Sequence, residues 1–202
     1  MDEKKILNNY LPAAAVEMVF DQIKSKNVHL KISRNRKTKF GDYRPPVYHS
    51  NHRISVNHNL NPYAFLITFI HEYAHLLVFE KFKNRVLPHG KEWKRIYQLL
   101  IEEYINADIF PDELDRVLIK SIQNGKASHS SDLELSRILQ RYDSTVTQIR
   151  VEDLPINTIF KANNGKRYKK GEKQRIRYKC VCLDNDRLYL FHPLTPIIPV
   201  SK

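Results

Sequence analysis

The chain has 202 residues, 42% of them hydrophobic, two cysteines and a formal net charge of +12. That length carries one domain with a full core plus a small appendage, and few glycines with mixed charges exclude a fibrous or low-complexity chain. Cys180 and Cys182 stand too close along one strand for an unstrained disulfide, and a field of this sign draws polyanions, nucleic acid first.

The opening residues, MDEKKILNNYLPAAAVEM, place acids and lysines where a signal peptide needs an apolar core, and no 18-residue run is apolar throughout. The expectation is a cytoplasmic protein, nucleoid-associated if bacterial, with no membrane partner. Pro12 and the apolar spacing after it predict a helix over 12 to 25. VHLKIS alternates Val28, Leu30 and Ile32 as a half-buried strand, RNRKTKFGDYRPP reads as turns, and HRISVNHN is a second strand around Ile54 and Val56. Asn61-Pro62 supplies a cap and a first-turn proline for a helix ending near Asn84. Trp93, Ile96, Tyr97, Leu100, Ile101 and Tyr104 recur at helical period, and FPDELDRVLIKSIQ and SSDLELSRILQRY predict two further amphipathic helices. From about Val151, NTIFKA, RIRYKCVCL and RLYLFHP are strand-like runs separated by Asn163-Asn164-Gly165 and Asp184-Asn185-Asp186, a small antiparallel unit. The boundary falls near 144 to 155, with no internal repeats.

The helix from Asn61 carries His71-Glu72-Tyr73-Ala74-His75, an HExxH pattern. Positions i and i+4 lie one turn apart on one face, so both imidazoles reach one ion, and Glu72 lies beside it as a base for water. Leaving these groups unpaired among Phe65, Leu66, Phe69, Leu76 and Leu77 would cost several kcal/mol, which a divalent cation offsets. Two neutral imidazoles suit zinc, and a catalytic zinc holds three protein ligands. Metzincin spacing fails at Val78 and Lys81, thermolysin spacing meets Arg95, and no cysteine precedes Cys180. His89 in LPHGKEW is the best third ligand, with Glu102 or Glu103 as fallback. Tyr97, Tyr104 and His58 are possibilities for steadying an oxyanion, and HRISVN is placed to pair with extended substrate.

FIHEYAHLL followed by PHGKEWK resembles the SprT and Spartan family, whose motif is HExxH, a short helix exit and HGxxF/W; FGDYRPP and HRISVNHNLNP are similar to the region ahead of its metal helix. The resemblance covers about residues 10 to 105. It implies a zincin-like α+β metallopeptidase domain over 1–145, one Zn2+ per chain on His71, His75 and His89, and Glu72 as general base. It also implies DNA-dependent cleavage of proteins bound or crosslinked to DNA.

Residues 161 to 179 carry nine cations against Glu172 alone, with Tyr168 and Tyr178 interleaved. Lys166, Arg167, Lys169, Lys170, Lys173, Arg175 and Arg177 are the expected nucleic-acid contacts, of unknown strand preference. Lys31, Arg34, Arg36, Lys37 and Lys39 with Phe40 form a second basic cluster. Where many SprT-like chains end in a four-cysteine zinc ribbon, 150–202 offers only Cys180 and Cys182, so it reads as a degenerate, metal-free β domain with two packed thiols. The competing readings are a nucleic-acid-binding protein with a structural zinc and a DNA-independent cytosolic peptidase. A further expectation is self-cleavage in the loop around Ser128 to Ser131.

Overall fold

In the computed structural model, which describes residues 2–36, 39–47, 50–125, 132–143 and 149–200, the chain forms two units, Met1–Ser144 and Thr145–Lys202. The first begins with α1 (Glu3–Asn8), capped by the Asp2 carboxylate accepting from the Lys4 N–H at 3.1 Å. The sequence gives no apolar period there, and this helix was not expected. The helix expected over 12–25 is a 3-10 turn (Ala13–Ala15) after Pro12, followed by α2 (Val16–Ser25).

Three strands follow: β1 (Val28–Ser33), β2 (Gly41–Arg44) and β3 (His52–Asn57), in the order β1-β3-β2. β1 runs parallel to β3, and β2 runs antiparallel to it. β2 lies within the stretch read as turns, because four residues with a glycine and two charges carry no strand signal. Its presence corrects the expected substrate strand: β3 is paired on both sides and its backbone is already used, so the sheet edge beside the metal helix is β2. Val28, Ile54 and Val56 turn inward, while Lys31, Arg53 and Ser55 alternate to the outer face.

α3 (Pro62–Phe82) is the spine of the unit. Asn61 caps it, its side-chain oxygen accepting from the Ala64 N–H at 2.9 Å, and its amide donates to the Leu139 carbonyl at 2.8 Å and to Asp143 at 2.7 Å. Twelve of its residues are buried on all sides of the helix, Phe65, Leu66, Phe69 and Leu76 completely. The segment is long and apolar enough to cross a membrane by length and composition, with mean hydropathy 1.2, and 67% of that window is buried inside the protein. α4 (Lys91–Asn106), α5 (Asp112–Gln123) and α6 (Leu133–Leu139) complete the core with Trp93, Ile101, Tyr104, Leu114 and Leu135. Replacing Phe65 or Trp93 by alanine there would cost about 3–5 kcal/mol. The loop around Ser128 to Ser131 lies outside the described residues.

The second unit is a five-stranded antiparallel sheet, β4 (Ile159–Lys161), β5 (Arg167–Gln174), β6 (Arg177–Cys182), β7 (Leu188–Phe191) and β8 (Ile198–Pro199), ordered β7-β6-β5-β4-β8. β5 is the strand the sequence hid. Its inward positions are Tyr168 and Lys170, so its only large apolar residue is one tyrosine, and the turn joining it to β6 is Arg175-Ile176 with Arg175 at φ 55°. Cys180 and Cys182 are both fully buried beside Phe160, Tyr168 and Val151, and burial pushes the Cys180 thiol up.

Candidate metal centre

α3 presents His71 and His75 on one face, four residues apart. The chain then leaves the helix at Lys83 and turns back through Leu87-Pro88-His89-Gly90 into α4. His89 sits in the left-handed region at φ 57°, a conformation a β-substituted residue adopts at a cost of about 1 kcal/mol or more. The result is a close triangle of Nε2 atoms: His71 to His75 3.2 Å, His75 to His89 3.0 Å, His89 to His71 3.1 Å.

These separations test the fit to a metal. Each ring aims the same nitrogen at one point, so an N–H on any of them would face two other nitrogens. A tetrahedral ion bound at about 2.0–2.1 Å by nitrogen spaces its ligands about 3.3 Å apart, close to what is found. Burial and the charge of His89 push the His75 imidazole down to about 4, and burial with Lys94 nearby lowers His89. Both rings are therefore neutral at physiological pH, the state a ligand needs. Among the described residues this is the cluster of histidine, cysteine and acidic side chains that could hold an ion, and His89 keeps it open to solvent.

Trp93 backs the set. It is fully buried, its ring centroid 4.7 Å from His71, 5.3 Å from His75 and 4.7 Å from His89, and Tyr97 stacks on it at 4.8 Å. The tryptophan of PHGKEW therefore fixes the imidazole planes. Glu72, next to His71 on α3, lies against β2. Burial pushes its carboxyl up to about 8, Asp42 adds to the rise, and Arg36, Lys39 and the Tyr43 backbone N–H oppose it. β2 touches this carboxylate: a Cβ on Gly41 would lie 2.5 Å from Glu72 Oε1 and 2.7 Å from the Thr68 methyl. Only glycine permits the approach.

A groove of about 310 Å3 borders His75, walled by Tyr43, Val78, Phe79, Val86, Leu87 and Trp93. Tyr43 is held by a 2.8 Å hydrogen bond between its hydroxyl and His52 Nδ1.

The structure thus brings His71, His75 and His89 together. Glu102 and Glu103 are exposed on α4, and Glu102 accepts from Gln98 at 2.7 Å. Tyr104 is fully buried and donates to Gln22 at 2.8 Å, so it is committed elsewhere; Tyr97 is buried in the Trp93 stack, and His58 is exposed on the turn after β3. Of the basic residues expected to meet nucleic acid, Lys166, Arg167, Lys169, Lys173, Arg175 and Arg177 are exposed. Lys170 departs from that set. It is 3% exposed, its ammonium donates to the Glu152 and Leu154 carbonyls, and it lies 4.1 Å from the Tyr178 ring, so it has no donor face for a phosphate. Gly41 and Tyr43 were not foreseen, because their contribution depends on an edge strand that four residues do not announce.

An HExxH helix, a third histidine returned by the following turn and a short mixed sheet alongside define an α+β domain with a metal-ligand set. The chain belongs to the SprT-like family, a family of metallopeptidase type, whose model matches residues 9–110. Searches of curated proteins and of solved structures returned no match.

Proposed function

We propose that this chain is a zinc-dependent endopeptidase with a zincin-like catalytic domain, acting on proteins bound or crosslinked to DNA. The observation that carries the reading is the triangle of three imidazole nitrogens at 3.0–3.2 Å with a buried glutamate on the adjoining helix position. His71, His75 and His89 would hold one zinc ion, which when bound supplies Lewis acidity toward a carbonyl oxygen and toward water.

The remaining parts belong to the chain. Glu72, as a carboxylate, accepts the proton that attacking water releases and returns it to the leaving amine, so one group serves both halves of the hydrolysis. Gly41 lets β2 lie against that carboxylate, and the edge of β2 offers backbone to an extended substrate. The groove beside His75 would take a bulky side chain next to the scissile bond against Val78, Phe79, Val86 and Leu87, with Lys83 as the one cation in its lining. A structural zinc would have no use for Glu72 and would be enclosed, whereas His89 is exposed.

Association with DNA rests on the net charge of +12 and on the exposed Lys166, Arg167, Lys169, Lys173, Arg175 and Arg177 of the second unit. Such a protein would work in the cytoplasm, at the nucleoid in a bacterium. The test is a gel assay of zinc-loaded protein on a basic DNA-binding protein, with and without single- and double-stranded DNA. Cleavage that appears only with DNA supports the reading; equal cleavage without DNA returns the chain to an ordinary cytosolic peptidase.

A further inference from the structure

The outer face of the β1-β3-β2 sheet forms a second groove, of about 240 Å3, that the chemistry of the histidine cluster does not use. Strand alternation puts Lys31, Arg53, Ser55, Asp42 and Arg44 on this face, opposite Ile54 and Val56 in the core. Lys31 and Arg44 are exposed. Arg44 and Arg53 are direct cross-strand partners. Like charges facing one another across two strands are destabilising, and the single acid of the groove, Asp42, is already held by Lys39 at 2.7 Å and by Arg44 at 2.9 Å.

One wall of the groove is pre-built. Asn57, fully buried, donates from its amide to the Arg36 and Lys39 carbonyls at 3.2 and 3.0 Å and thereby folds that segment back along the sheet. Arg36 is fixed in turn, Nε donating to Asn57 Oδ1 at 2.8 Å, one Nη to Ser55 Oγ at 3.0 Å and the other Nη to the Phe40 and Ser55 carbonyls at 3.3 and 3.4 Å. The protein therefore fixes a positive charge along the wall of the groove, with its donors taken up by the sheet itself.

We propose that this face is a binding track for the phosphodiester backbone of nucleic acid, with Lys31, Arg44 and Arg53 as its contacting cations and Arg36 as a fixed positive charge at its wall. Guanidinium forks match phosphate oxygens, and the groove carries four cations against one acid with no apolar residue but Ile54 in its lining. For the choice of polyanion the inference rests on the DNA-associated reading above, but the surface belongs to the SprT-like domain and is separate from the basic strands of the second unit. Glu72 meets Gly41 on one side of β2, and Asp42, the next residue, faces the track. A strand of nucleic acid would thus lie one sheet thickness from the catalytic cleft.

The experiment uses the full chain and labelled single- and double-stranded oligonucleotides, titrated across a salt series. Lys31→Gln/Arg53→Gln is compared with wild type and with Lys169→Gln/Lys173→Gln; Lys31→Gln alone guards against a folding defect, and melting curves are recorded for all. The expected result is a fall of about 2 in the slope of log K against log salt on duplex for the first variant, about 1 for Lys31→Gln alone, and binding weakened roughly tenfold or more by the pair. An unchanged isotherm and slope in both Lys31 variants, with wild type bound, overturns the track and leaves DNA association to the second unit. Absence of DNA binding by wild type overturns both. Loss of poly-glutamate binding with DNA binding unchanged also overturns it, and assigns the face to an acidic protein.

Discussion

Glu72, His71 and His75 are polar groups on an apolar helix whose placement makes sense only together with His89, which closes the set from the solvent side. The carboxyl is buried and raised to about 8, an unfavourable place for an anion unless a cation is near. Glu72→Gln keeps the shape and removes the base, so it is expected to bind metal as wild type does and to lose about 10²- to 10⁴-fold in turnover, measured on one protein substrate. Gly41→Ala is a sharper probe of the β2 contact. Its methyl group must displace Glu72 or the strand, and a shift of that kind is expected to lower turnover roughly 10- to 100-fold with zinc content unchanged. Full activity in that variant would show that the contact does not position the base. His71, Glu72, His75 and His89 were legible in the sequence because their spacing is local, and because three polar groups in an apolar helix demand a partner. Gly41 was not legible, since a glycine in an unannounced edge strand looks like any turn glycine.

At the level of elements, two features hold the cleft in place. Asn61 caps α3 and ties its start to Leu139 and Asp143. Asn61→Ala loses the cap and strands a carbonyl, so the first unit is expected to lose about 1–3 kcal/mol in denaturant unfolding. The other is the Tyr43–His52 pair under the groove. Burial lowers His52 from its ordinary 6.5, only partly opposed by Glu80 at 3.8 Å. The unfolded chain therefore takes up a proton more readily than the folded one, and the stabilisation present above about pH 6.5 is lost as the pH falls below it. His52→Gln is expected to flatten this part of the stability-pH curve; an unchanged slope would exclude the residue. Long helices with strong periods, α3 to α5, were read correctly from pattern alone. Short elements, α1, β2 and β5, were not, because β2 and β5 are specified by pairing partners, by Gly41 lying against Glu72 in the one and by Tyr168 and Lys170 filling inward places in the other, and in both strands charge outnumbers apolar residues.

For the molecule as a whole, charge is the feature that the composition announced and the fold distributes. The net charge of +12 is divided between exposed strands of the second unit and the outer sheet face of the first. Composition could announce polyanion binding but not which lysines point outward: Lys170 sits within the densest basic run and is buried, while Arg53, outside both runs, lines a groove. A steep fall of DNA affinity with salt is the expected signature, since each phosphate contact contributes about −0.9 to the slope on duplex DNA.

The most direct test of the central claim is cleavage of one protein substrate by zinc-loaded wild type beside Glu72→Gln, with metal content measured in the same samples. One zinc per chain in both and cleavage by wild type alone is the predicted result. Equal cleavage by the two, or equal absence of it with zinc bound under every condition of DNA, would contradict a peptidase built on His71, His75, His89 and Glu72.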